Sequence, residues 1–195
     1  MISANPRQNA GFGMIEVLVS LVIILTGLLG LAGLLTLGNQ AEMESYQRAQ
    51  ALVLLEDMAG RINVNRKVAA CYGNTTTNAT TGTPYLGSTA TSTPACASGT
   101  TAQKATAIAD LTAWSDALKG AAEIQGGSNV GAMIGARGCI SSTATDTYLI
   151  SVAWQGLNPT FAPPAGLGCA QGKYGNETER RVVSTTLRIA NLTAP

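Results

Sequence analysis

The stretch Gly11-Phe12-Gly13-Met14-Ile15-Glu16-Val17-Leu18-Val19-Ser20-Leu21 opens the run on which the reading of the whole chain turns. From Val17 to Leu37 no residue is charged, and only Ser20, Thr26, Thr36 and the glycines Gly27, Gly30 and Gly33 interrupt the aliphatic side chains. At 1.5 Å per residue, such a helix spans roughly 30 Å, the thickness of a bilayer's hydrocarbon core. Core helices of soluble domains are seldom so long and so uniformly apolar, so the run predicts one membrane span over about residues 15–37. It is too long for the apolar region of a secretory signal peptide, and no well-formed small-x-small cleavage site follows it. Glu16 sits at its head. A carboxylate beside hydrocarbon is costly unless it lies at the interface or has a partner, and a chain with one span must find that partner on another molecule. Arg7 precedes the run while Glu42 and Glu44 follow it, a bias that places the N-terminus inside and the C-terminal body outside.

Composition narrows the function classes. The 195 residues hold 12 Lys+Arg against 11 Asp+Glu, a net charge of +1, which supplies no field for nucleic acid. With no His, the chain lacks the commonest acid/base group and the commonest metal ligand. The charged share, 12 %, is about half that of ordinary globular proteins, and mean hydropathy is +0.18. Neither a cofactor nor a bound metal is expected, and an enzyme is the class least favoured.

Glycine, phenylalanine and glutamate at the spacing Gly11-Phe12-x-x-x-Glu16, set before an uncharged run, resemble the class III signal of type IV pilins and pseudopilins. The resemblance implies cleavage by a prepilin peptidase between Gly11 and Phe12 on the cytoplasmic side, N-methylation of the new Phe12 amine, and retention of the apolar helix. It assigns Glu16 to subunit assembly, neutralising the N-terminal amine of a neighbouring subunit. Two groups that are each costly in lipid become tolerable when paired. Gly13 departs from the threonine common at its position.

Beyond Leu37 the pattern changes from apolar all round to amphipathic. Asn39–Arg66 has no proline, and Leu52, Leu55, Ala59 and Ile62 recur at helical spacing, with Gln50, Asp57 and Arg61 on polar faces. One long helix is expected over 12–66, roughly 80 Å in length, after a leader over 1–11. Glu56-Asp57-Met58-Ala59-Gly60-Arg61-Ile62-Asn63-Val64-Asn65 and the glycine-punctuated stretch from Leu25 to Leu34 resemble the PilV family of minor type IV pilins. No proline stands between Pro6 and Pro84, so the glycines of the span serve either local melting or close helix packing.

The remainder, 67–195, reads as an exported head domain. Asn74–Gln103 is uncharged and rich in Thr, Ser, Ala and Gly, and is expected as an irregular or poorly ordered loop. A helix is predicted over Lys104–Leu118, with Ile108, Leu111 and Leu118 on one face and Trp114 partly buried; Asp110-Leu111-x-x-Trp114 resembles a family helix. Gly126-Gly127 marks a turn. Strands are predicted within Ala132–Ile140, over Thr147–Gln155, where Tyr148, Ile150, Val152 and Trp154 alternate with Leu149, Ser151 and Ala153, and over Arg181–Ile189. Asn158–Gly168, with three prolines, is loop. The fold class is therefore α+β: a type IV pilin-like fold with a long N-terminal helix packed on a small antiparallel sheet.

Cys71, Cys96, Cys139 and Cys169 all follow the apolar run, on the exported side. Four cysteines permit three pairings. Neighbour pairing is expected: Cys71–Cys96 closes the Thr-rich loop, and Cys139–Cys169 encloses the strand-rich region, like the C-terminal disulfide loop of type IV pilins. A zinc site is disfavoured, because no Cys-x-x-Cys or His is present and the spacings are wide. Ser141-Ser142 and Asp146 lack a histidine partner, and Glu177 and Glu179 beside Arg180 and Arg181 read as a solvated charged turn or an inter-subunit contact.

The resemblance implies a minor pilin in a priming or tip complex that supports adhesion and twitching motility. Its implied partners are other minor pilins, the major pilin, the prepilin peptidase/N-methyltransferase and the inner-membrane assembly machinery. Its implied location is the inner membrane, N-terminus cytoplasmic and head periplasmic, then the surface pilus. A minor pseudopilin of a type II secretion system shares the signal, and an adhesion module on a pilin anchor is a third reading.

Overall fold

The computed structural model describes residues 13–78, 80–121, 124–129, 131 and 133–190. The chain forms two compact units, residues 1–43 and 44–195, and the first helix contributes to both. That helix, α1, runs over Met14–Val64. In the first unit it carries no buried side chain from Met14 to Met43.

The second unit is a layered head. After α1, a short 3-10 helix covers Arg66–Tyr72, and strand β1 (Leu86–Gly87) precedes helix α2 (Thr101–Leu118). A small hairpin, β2 (Ile124–Gln125) and β3 (Ser128–Asn129), turns at Gly126-Gly127. Strands β4 (Arg137–Ala144), β5 (Thr147–Gln155) and β6 (Arg180–Arg188) follow. They join β1 in an antiparallel sheet of order β1-β4-β5-β6. The architecture is α+β, with a long N-terminal helix, a small antiparallel sheet and two disulfides.

Strand β5 is covered on both faces, and its alternation sorts the core. Ile150, Val152 and Trp154 pack with Leu55, Met58 and Ile62 of α1 and Leu111, Trp114 and Leu118 of α2. Ala153, on the other face, joins a second cluster with Tyr85, Tyr174 and the Cys139–Cys169 pair. The apolar face of α1 differs from the Leu52-Leu55-Ala59-Ile62 stripe expected from sequence. Gln47, Ala51, Leu55, Met58 and Ile62 are buried, whereas Leu52 is 45 % exposed. The stripe turns because α2 seats on the turn from Leu54 to Met58, where the Trp114 indole N–H donates to the Leu54 carbonyl at 2.8 Å.

Further expectations are refined or corrected. The Thr-rich segment is largely irregular, as expected, yet it is tied into the sheet: β1 pairs with β4, Tyr85 and Leu86 are buried, and Thr75 both donates to and accepts from the backbone of Ile140. Thr hydroxyls there serve as hydrogen-bonding groups; Thr75 Oγ1 also donates to the Pro84 carbonyl at 2.7 Å. Helix α2 starts at Thr101, three residues earlier than expected, because Thr100 and Gln103 form a reciprocal capping box. On its faces Trp114 is fully buried and Ile108 is 38 % exposed, the reverse of the expected ranking. In the first of the expected strand regions, Ala132–Ile140, Gly135 lies in a turn and β4 begins at Arg137; Ala132 lies outside the described residues.

Trp114 reaches β4 only because Gly138 has no side chain: a Cβ there would overlap the six-membered ring of the indole and Leu118 Cδ1. Gly138→Ala is therefore expected to destabilise the head by about 1–3 kcal/mol, read as a lower denaturation midpoint of the purified chain followed by tryptophan fluorescence.

Candidate functional site

The chemistry of the first unit is that of an exposed apolar helix. Val17, Leu18, Leu21, Ile23, Leu28, Leu31 and Leu35 are each at least half exposed. The backbone of a helix satisfies itself, and the few polar side chains of the run do likewise. Ser20 Oγ donates to the Glu16 carbonyl at 2.7 Å, Thr26 Oγ1 to the carbonyls of Val22 and Ile23 at 3.0 Å, and Thr36 Oγ1 to that of Ala32 at 3.0 Å. No hydroxyl in the run therefore requires water. Among the described residues α1 is the one helix long and apolar enough to cross a membrane, and none of its most apolar stretch is buried within the chain.

Glu16 lies in the first turn, where its N–H donates to the Gly13 carbonyl at 3.0 Å. Its carboxylate is exposed and takes no hydrogen bond or ion pair among the described residues. Gly27, Gly30, Gly33 and Gly38 all face open space. The expected leader, residues 1–11, and the expected cleavage pair Gly11 and Phe12 lie outside the described residues.

In the head, polar groups are used to hold elements together. Asp110 of α2 accepts from Arg61 Nη1 at 3.0 Å and from the Tyr72 hydroxyl at 2.6 Å, and Arg61 Nε also pairs with Asp57 at 2.9 Å. Asn65, at the end of α1, donates to the Tyr72 hydroxyl and to the Gln103 carbonyl. Burial and then the Asp110 hydrogen bond push the Tyr72 phenol well above its ordinary pKa. The Asp57 hydrogen bond raises that of Arg61, against the effect of burial.

The expected solvated turn at Glu177–Arg181 is corrected. Arg180 is 2 % exposed; its Nε pairs with Glu177 at 2.7 Å, and its Nη1 donates to the carbonyls of Leu167 and Cys169. Arg181 reaches Glu44 of α1 at 3.4 Å and the Asn158 carbonyl at 2.7 Å. Arg137, which sequence reasoning passed over, is also buried: it lies over the rings of Tyr174 and Tyr85, 4.7 and 5.3 Å from their centroids, and donates to Gly135 and Thr89. A basic residue one position before a β-strand glycine carries no sequence signal of burial. Burial pushes the Tyr174 phenol up to about 12, although Arg137 opposes it.

Cys71 is bonded to Cys96 and Cys139 to Cys169. Ser141 and Ser142 are strand residues of β4, and Asp146 sits in the β4–β5 turn; they assemble no nucleophile. Among the described residues no group of three or more His, Cys, Asp or Glu side chains could hold a metal ion.

Residues 6–32 match the family described as the prokaryotic N-terminal methylation motif. No curated protein and no solved structure matches the chain. The chain thus carries a class III, type IV pilin-like prepilin signal at its N-terminus, followed directly by the exposed apolar helix.

Two measurements probe the polar clasp and the buried phenol. Asp110→Asn should lower head stability by about 1–2 kcal/mol, since the ion pair is only partly buried; an unchanged denaturation midpoint would show the clasp to be energetically idle. Tyr174 holds its proton more tightly folded than unfolded, so its contribution is intact below its ordinary pKa of 10.0 and lost as pH rises through about 12. The urea midpoint should decline over that window, and less so in Tyr174→Phe.

Proposed function

We propose that the chain is a minor pilin of the type IV pilus, resembling the PilV family, made as an inner-membrane precursor and taken into the filament at low abundance. The observation that carries the reading is the uncovered helix of residues 14–37 with Glu16 at its head, set directly behind a methylation-type signal. In this reading prepilin peptidase cuts between Gly11 and Phe12, the Phe12 amine is methylated, and the apolar helix is retained as the part that packs among other subunits. Glu16 neutralises a neighbouring subunit's N-terminal amine during assembly. The N-terminus is cytoplasmic and the head periplasmic, where two disulfides are chemically at home.

The partners are other minor pilins, the major pilin and the inner-membrane assembly machinery, and the contribution to adhesion and motility is structural. A minor pseudopilin of a type II secretion system obeys the same assembly logic. Deleting the gene and scoring surface pili and protein secretion together separates the machines: lost pili with intact secretion supports the pilus, and the converse overturns it.

Glu16→Ala is expected to leave cleavage intact and to lower incorporation at least about tenfold, the scale set by an uncompensated charge near hydrocarbon. Incorporation at the wild-type level, measured by immunoblot of sheared filaments, would refute the pairing role.

A further inference from the structure

The Thr-rich segment ends in an extended stretch that belongs to no sheet. From Thr91 to Ala97 the chain contains neither helix, turn nor bend, and its burial alternates: Ser92, Pro94 and Cys96 are half-buried, while Thr93, Ala95 and Ala97 are exposed. A period of two is that of extended chain. Yet no backbone N–H or carbonyl from Ser92 to Ala97 has a hydrogen-bond partner among the described residues. The stretch is nonetheless fixed at both ends. Thr91 N–H donates to the Tyr85 carbonyl at 3.1 Å, and Tyr85 N–H donates to Thr91 Oγ1 at 3.1 Å. At the far end Thr100 caps α2, and Cys96 is bonded to Cys71. Pro94 restricts the backbone between them. Unpaired backbone groups held straight are a template for adding another strand, at little ordering cost.

The same stretch forms one wall of an open cleft of about 320 Å³, whose other walls include Gly73, Asn74, Leu86 and Leu111. That volume is at the lower end of the range for ligand sites, roughly 300–1,000 Å³. Asn74 Oδ1 accepts from Ile140 N–H at 3.2 Å, but its Nδ2 is buried and has no partner. A donor removed from water and left unbonded is costly, and an acceptor entering the cleft relieves that cost.

Charge selects the occupant. Between Arg61 and Asp110 the sequence holds Arg66, Lys67 and Lys104 and no carboxylate. The three gather towards the Ser98 end of the cleft. Asn65 Nδ2 donates to the Gln103 carbonyl at 3.0 Å, which sets the chain at Arg66 near that at Lys104. Gly99, next to Ser98, lies so close to Val68 and Gln103 that a Cβ on it would overlap the valine. Arg66 and Lys67 are exposed, Lys104 is half-buried, and none is in an ion pair among the described residues. Asp110, the next carboxylate, is engaged by Arg61 and Tyr72. No aromatic ring lines the cleft for a nucleic-acid base to stack on.

We propose that the cleft binds an extended acidic peptide segment of a partner protein, which adds as a strand to Ser92–Ala97. The peptide's backbone pairs with the unused N–H and carbonyl groups, one of its oxygens accepts from Asn74 Nδ2, and its carboxylates face Arg66, Lys67 and Lys104. The site is built wholly from the head and does not depend on the pilus reading above.

A random dodecapeptide library displayed on phage, selected on the full-length chain in nanodiscs after depletion on empty nanodiscs, tests this. The expected consensus carries carboxylates beside alternating β-branched residues. By fluorescence polarisation the selected peptide should bind the double variant Arg66→Glu/Lys67→Glu at least about tenfold more weakly. Asn74→Ala should cost roughly two- to tenfold in affinity; Ile140 N–H keeps Thr75 Oγ1 as an acceptor there, so the sheet is spared. A further arm leaves the protein untouched. N-methylation of one alternate set of the peptide's amides should abolish binding and that of the other set spare it, because only one edge of an added strand faces the stretch. No enriched peptide, a consensus without carboxylates, affinity indifferent to the charge reversals or to Asn74→Ala, N-methylated sets that bind alike, or tighter binding of oligothymidylate than of the peptide would each overturn the proposal.

Discussion

An aliphatic helix with nothing of its own chain against it governs the rest of this molecule. From Met14 to Leu37 the backbone and the three hydroxyls are hydrogen-bonded within the helix, while the large side chains face outward. In water such a surface would far exceed the few hundred Å² of contiguous apolar area that soluble monomers tolerate. It is stable in lipid or among like helices, media that leave its internal hydrogen bonds undisturbed. Glu16 is the exception that gives the helix direction: a charge at one end, without a partner among the described residues, in a segment otherwise built to avoid charge.

The head meets a different constraint. It is small, and a small domain gains a limited margin from apolar burial. It compensates with two disulfides, each worth about 2–4 kcal/mol in typical proteins, and with polar groups that cross between elements. Arg61, Asp110, Tyr72 and Asn65 tie α1 to α2 and to the 3-10 helix between them. Arg180 gathers the Cys169 loop onto β6, and Arg137 fills the space between two tyrosines on the outer face of the sheet. In a chain with so few charges, a large share of the arginines is committed to internal ties.

The parts legible in the sequence were those written in local, repeating patterns. The uncharged run needs only counting, and the alternation of Thr147–Gln155 matches strand β5 residue for residue. What escaped depends on contacts between segments distant in the chain. Leu52 looked as good a core residue as Leu55, and only the docking of α2 decides that Met58 is buried in its place. The two residues of β1 are too short to show any period, and are strand only because β4 runs beside them. Arg137 and Arg180 read as surface residues, since their burial rests on rings and carbonyls contributed from elsewhere. The capping box at Thr100 and Gln103 was available in the sequence, in a Thr-rich context where one more threonine attracts no notice.

In the proposed function the apolar helix is kept as the working part of the mature protein, with its end made by prepilin processing. Intact-mass and N-terminal mass spectrometry of the protein purified from membranes addresses it directly. The expected result is a chain that begins at an N-methylated Phe12, retains residues 14–37 and lacks the hydrogens lost to two disulfides. A mature chain beginning after Leu37, as from an ordinary secretory signal, or one still beginning at Met1, would contradict it.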